Sequence, residues 1–207
     1  MTKATIYLAS AGLASLMFAS AASADADTYG NASENRFDGF YAGAEAGATF
    51  ATSGIYDWDT GFQYSAIVGY RWQQPSNWVF GLEGTFGNPE GPNPDISFFD
   101  PKYSYDWSAV ATAGYAFGNK GLLFAKVGWS GVHISTPLYQ AVPNGSGGTT
   151  FEPTGERAHS SADGLRLGVG YEHAMTDSIS LRLSADYSNF DAAPSMVKTS
   201  LGVIFKF

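Results

Sequence analysis

The strongest constraint on this chain is a two-residue alternation that keeps returning along it. In residues 39–50, Phe40, Ala42, Ala44, Ala46, Ala48 and Phe50 fall on one parity, and Tyr41, Gly43, Glu45, Gly47 and Thr49 on the other. Period two sends those sets to opposite faces of an extended strand. One face is wholly apolar and the other is polar or bare. The pattern recurs over residues 61–72, 78–87, 105–117, 122–133, 164–174, 179–190 and 197–207. An all-β chain of eight strands is therefore expected. The connections alternate in length: 73–77, 118–120 and 175–178 are short, whereas 51–60, 88–104 and 135–163 are long. The last, 191–196, is brief. Pro89, Pro92, Pro94 and Pro101 are expected to keep the second long connection out of strand. Pro137, Pro143, Pro153 and the run Asn144-Gly145-Ser146-Gly147-Gly148 would do the same in the third.

Composition decides which face meets which solvent. A soluble β fold turns its apolar face inward and covers the outside with charge. Here only 14% of residues are charged, against ~25% in typical soluble domains. The apolar parity carries aromatics at both strand ends. Trp72, Trp78, Phe80, Tyr115, Phe117, Phe205 and Phe207 fall near the short turns. Phe50, Phe62, Tyr64, Phe86, Tyr105, Trp107, Trp129 and Tyr187 fall near the long loops. Two aromatic girdles around an Ala/Val/Leu band describe a lipid-facing surface. The expected fold is an eight-stranded antiparallel transmembrane β-barrel. Side chains just fill the interior of such a barrel, so small inward residues are needed, which accounts for the 25 glycines.

The first 24 residues read as an export signal. Lys3 supplies a positive start, residues 6–18 are apolar, and Ala22-Ser23-Ala24 forms an A-x-A cleavage site. Cleavage is expected between Ala24 and Asp25. The expected organisation is a signal peptide over 1–24, a short periplasmic leader over 25–36 and a barrel over 37–207. With no cysteine, a disulfide scaffold, a cysteine zinc site and a lipoprotein anchor are excluded. A sequence pI near 4.7 argues against nucleic acid as a partner.

Several stretches resemble one family, the small opacity-protein-like outer-membrane porins of Gram-negative bacteria. Phe37-Asp38-Gly39-Phe40-Tyr41-Ala42-Gly43 resembles the opening strand, and Phe80-Gly81-Leu82-Glu83-Gly84 the third. Asp106-Trp107 followed by Gly114-Tyr115-Ala116-Phe117 is similar to the fourth. Gly168-Val169-Gly170-Tyr171-Glu172, Thr176-Asp177 and Asp186-Tyr187 with Asp191 resemble the sixth and seventh. Residues 201–207 resemble the closing strand, where Val203, Phe205 and Phe207 are similar to the C-terminal signal read by the barrel-assembly machinery. Thr112 stands where the family usually has Arg, and Asp186 where it has Glu. The resemblance implies an outer-membrane location and little about activity.

The polar parity holds Glu45, Glu83, Asp106, Glu172 and Asp186 together with Arg71, Lys126, Arg166, Arg182 and Lys198, and Lys206 near the periplasmic end. Isolated buried charges cost several kcal/mol in effective desolvation, on the order of a whole domain's margin of stability. The near-equal count therefore points to a cross-lumen network of ion pairs that plugs the barrel; the alternative is a narrow charge-lined channel for ions or small solutes. No catalytic, cofactor-binding or metal-binding residue is assigned. His133 with Ser135 is similar to the His-x-Ser of an outer-membrane lipid A deacylase, but the flanking residues of that pattern are absent. A girdle histidine is the expected reading. Asp57, Asp59, Glu90, Asp95 and Asp100 read as a solvated acidic loop surface, with divalent cations bridging lipopolysaccharide as the alternative. The expected partners are outer-membrane lipids and lipopolysaccharide, the assembly machinery, and a host or envelope protein through the outer loops, foremost 135–163.

Overall fold

The computed structural model describes residues 36–52, 59–89, 102–143, 148–191 and 193–207. The expected signal peptide, its cleavage point at Ala24 and Asp25, and residues 25–35 of the leader lie outside them. Eight strands form: β1 (Gly39–Thr52), β2 (Asp59–Gln73), β3 (Trp78–Pro89), β4 (Lys102–Phe117), β5 (Gly121–Pro143), β6 (Thr149–Ala174), β7 (Ile179–Phe190) and β8 (Ser195–Lys206). Each pairs antiparallel with its chain neighbours, and β8 returns to β1, so the sheet closes into a barrel. Closure leaves the spanning backbone no open edge, the condition a strand must meet in lipid.

Alternation sorts the side chains by face. Leu82 and Leu201 are 61% and 62% exposed on the outside, whereas Ile67 is 1% exposed inside. The tight turns carry their own chemistry. Asn77 takes a left-handed φ of 65° between β2 and β3, and Gly118 one of 55° between β4 and β5. Asn tolerates that conformation through its short polar side chain, and Gly through its lack of a Cβ.

The long connections are shorter than the prolines imply. Pro89 is the last residue of β3 and pairs with Gln63, and β4 begins at Lys102. The largest correction concerns residues 135–163. There β5 and β6 do not end in a loop; they continue as a paired ribbon from Ser135↔His159 to Pro143↔Thr149, with an irregularity between Pro137 and Tyr139. Lys102 is opposite Ser135 and Phe190 is opposite Gly164, so beyond those points β5 and β6 have only each other. A two-stranded ribbon tolerates proline because alternate positions make no ladder bond to the partner. Residues 149–161 are exposed on both faces. No face is apolar there, so the alternation that marks a strand in sequence is missing.

The interior is layered along the axis. Toward the short turns, Phe37 packs with Val79, Ala116, Leu122, Phe124 and Ala174. Toward the long connections, Val132, Ala162, Phe190 and Met196 form a second apolar cluster, with Ile134 and Ala193 against it. Polar and charged side chains make up most of the remaining interior, together with a third apolar cluster of Tyr41, Ile67 and Ile204.

Candidate functional site

Inward parity brings ten charged side chains into that middle layer: Glu45, Arg71, Glu83, Asp106, Lys126, Arg166, Glu172, Arg182, Asp186 and Lys198, each at most 6% exposed. Seven of them form one chain of contacts. Arg71 Nη2 lies 3.1 Å from Glu172 Oε2. The same oxygen accepts from Arg182 Nε at 3.1 Å. Arg182 Nη1 donates to Glu83 Oε2 at 2.6 Å. Lys126 Nζ lies 3.7 Å from Glu83 Oε1 and 3.1 Å from Asp186 Oδ2. Arg166 Nη2 donates to Asp186 Oδ2 at 3.0 Å. Strands β2, β3, β5, β6 and β7 all contribute, so the contacts tie the wall together across its interior.

The other three, Asp106, Lys198 and Glu45, stand apart from that chain, as does Lys206 at the periplasmic end. Lys198 donates to Asp106 nearer the outer end. Glu45 meets hydroxyls: Ser65 and Ser200 donate to it at 2.9 Å each, and Ser184 at 3.4 Å. Lys206 donates to the Arg36 carbonyl at 2.6 Å, which fixes the chain as it enters β1. Thr112 is buried and pairs in register with Gly81 and Lys126.

Tyr41 is a member that charge reading alone misses. Its hydroxyl donates to Glu83 Oε2 at 2.8 Å. Arg71 Cζ lies 4.1 Å from the centre of its ring, and Arg182 Cζ 5.4 Å. One aromatic ring thus serves two guanidiniums as a cation–π partner. The available signal was its parity, since Tyr41 is the one large aromatic on the polar face of β1. Gly69 makes the room: a Cβ there would lie 2.3 Å from Tyr41 Cζ.

The other sequence candidates fall elsewhere. His133 Nδ1 is 3.0 Å from Ser161 Oγ, while Ser135 Oγ accepts from Arg157 Nε at 2.7 Å. His133 and Ser135 therefore form no nucleophile–base pair. Asp57, Glu90, Asp95 and Asp100 lie outside the described residues, and Asp59 opens β2. Among the described residues no group of three His, Asp or Glu side chains is placed to hold a metal ion. Val203, Phe205 and Phe207 face outward, at 37%, 47% and 81% exposure.

The outer membrane protein beta-barrel domain family matches residues 11–207. Neisserial surface protein A (NspA) superposes with a TM-score of 0.57 at 20% identity, covering 82% of this chain and 98% of that one. Ail, the attachment invasion locus protein of Yersinia pestis, superposes with a TM-score of 0.56 at 14% identity, covering 82% and 99%. Ail has also been solved with the heparin analogue sucrose octasulfate, again at 14% identity and a TM-score of 0.56. At these identities the likeness is one of fold. No curated protein matches the sequence.

Proposed function

The chain belongs to the outer membrane protein beta-barrel domain family, and from that premise we propose that it serves in the cell outer membrane as a closed, non-conducting barrel that supports envelope integrity and presents a surface to partners. One observation carries the reading. Nine of the ten interior charges are ion-paired, Glu45 is held by hydroxyls, and the layer is bracketed at both ends by apolar clusters around Phe37 and Phe190. A solute path would need a continuous polar lumen, and wide aqueous channels arise in barrels of ~16 strands. The reading assigns no catalytic residue. Its partners are outer-membrane lipids and lipopolysaccharide, with the C-terminal strand handed to the assembly machinery.

A deletion strain tests this. Loss of the protein is expected to raise sensitivity to detergent and to bulky antibiotics while small-solute uptake stays unchanged. Slowed uptake with an intact detergent barrier would overturn the reading in favour of a porin.

A second reading rests on the β5–β6 ribbon. Its residues 149–161 are wholly exposed beyond the barrel, a placement suited to an adhesin or host-contact surface within residues 135–163. Shortening the ribbon between Leu138 and Thr154 should abolish cell attachment and leave the barrel folded. Undiminished attachment would remove this second reading.

A further inference from the structure

Where the β5–β6 ribbon leaves the barrel, four rings step across four strands on the outer face. Phe86 of β3 and Tyr105 of β4 have centroids 5.6 Å apart with planes at 27°. Tyr105 and His133 of β5 follow at 5.0 Å and 9°. His133 and His159 of β6 complete the row at 5.5 Å and 16°. The row lies across a joint in the fold. His133 belongs to the wall, paired in register with Tyr105 on one side and Ser161 on the other. His159 belongs to the ribbon, opposite Ser135, where the ladder to β4 ends. The ladder to β7 has already ended at Gly164. The contact between the two imidazoles thus carries the row from the wall into the ribbon.

Imidazole is the side chain that gains its charge as pH falls from 8 to 5. Two neutral rings stack as any flat pair does. One positive charge is accommodated. On His133 it lies over the Tyr105 ring, inside the ~6 Å reach of a cation–π contact. Ser161 Oγ, 3.0 Å from His133 Nδ1, can accept from a charged ring. Asp163, bonded to the Trp129 indole, occupies the next outward position along β6 toward the barrel.

Two positive charges are opposed. Rings 5.5 Å apart repel once both are charged. On the ribbon side of His159, the next residue of that face is Arg157, a permanent cation held by the Ser135 hydroxyl and carbonyl. Glu156 precedes Arg157 on β6, and the register sets Lys102 of β4 opposite Ser135. A charged His159 therefore stands between His133 and Arg157, both positive.

We propose that the His133–His159 stack is an acid-sensitive joint. It holds the ribbon to the barrel rim while the imidazoles are neutral and releases it when both are protonated. The inference goes beyond both readings of the barrel's function and is independent of whether its lumen conducts.

The test uses the refolded full-length protein in phospholipid nanodiscs, with nitroxide labels at Thr150→Cys on the ribbon and Asn119→Cys in the β4–β5 turn. Pulsed electron resonance reads the distribution of distances between them at about pH 7.5 and about pH 5.5. In the otherwise native chain the distribution should broaden about two-fold at the lower pH, as a segment with few neighbours gains freedom. His159→Phe keeps a ring that stacks and takes no charge, so its distribution should stay narrow at both pH values. His133→Phe should behave alike and serves as the second variant. His159→Ala removes the stack and should be broad at both. Heat-dependent gel mobility verifies that each protein is folded. Equal widths at the two pH values with both histidines present would overturn the proposal. So would acid broadening that persists in either folded Phe variant, or a narrow distribution in folded His159→Ala at both pH values.

Discussion

Arg182 of β7 and Glu83 of β3 meet at 2.6 Å although 99 residues separate them, because their strands face each other across the barrel. Neither side chain has measurable exposure. The pair is therefore a crossbar between opposite walls, and removing one end leaves the other charged and buried. Arg182→Ala is expected to lower stability by about 3–5 kcal/mol. Urea unfolding in detergent micelles, followed by tryptophan fluorescence, measures this. A loss below ~1 kcal/mol, the scale of an exposed pair, would show that the contact is dispensable.

Glu45 and Glu172 are both buried carboxylates with different company. Glu172 faces two guanidiniums, whereas Glu45 is held by three serine hydroxyls. Glu172→Gln should cost about 3–5 kcal/mol because it removes the ion-pair partner of Arg71 and one of the two partners of Arg182. Glu45→Gln keeps a side-chain oxygen for the hydroxyls and removes an unpaired charge, so it should cost about 1 kcal/mol or less. The same unfolding assay compares them, and a reversed order would contradict the assigned contacts.

Gly168 and Gly84 make a matched contrast. A Cβ at Gly168 would lie 2.0 Å from Asp186 Oδ1 and 2.9 Å from Lys126 Cε, whereas at Gly84 the nearest atom is 3.8 Å away. Gly168→Ala should cost about 1–3 kcal/mol by forcing that ion pair aside. Gly84→Ala should be close to neutral. Equal effects would show that the interior is loose around Asp186.

The orientation of the barrel can be read by labelling, because the chain has no cysteine of its own. Phe151 lies on the ribbon and Asn119 in the short β4–β5 turn. Phe151→Cys should react with a membrane-impermeant maleimide on intact cells. Asn119→Cys should react only after permeabilisation. The opposite pattern would invert the topology.

Much of the fold was legible because a strand with one lipid face and one packed face writes its parity into the sequence. The alternation bounds β7 at Ile179 and Phe190, where the strand begins and ends. It fails beyond Ser135 and Asp163, where the ribbon is solvated on both faces and keeps no apolar parity. Prolines then look decisive although a two-stranded ribbon accommodates them. Parity sorts Arg182 and Glu83 to the same interior, but it carries no information about which acid meets which base, since that depends on how far the strands are staggered around the ring. Tyr41 belongs to the same class: its face was readable, while its place between Arg71 and Arg182 depends on three other strands.

The central claim is a lumen closed by paired charge and apolar ends. Single-channel recording of the refolded protein in a planar bilayer tests it most directly, alongside Arg71→Ala and Glu83→Ala. The account predicts a silent wild type whose folding is verified by heat-dependent gel mobility. Discrete, steady conductance steps in wild type that change size with either substitution would contradict it and make the interior a pathway.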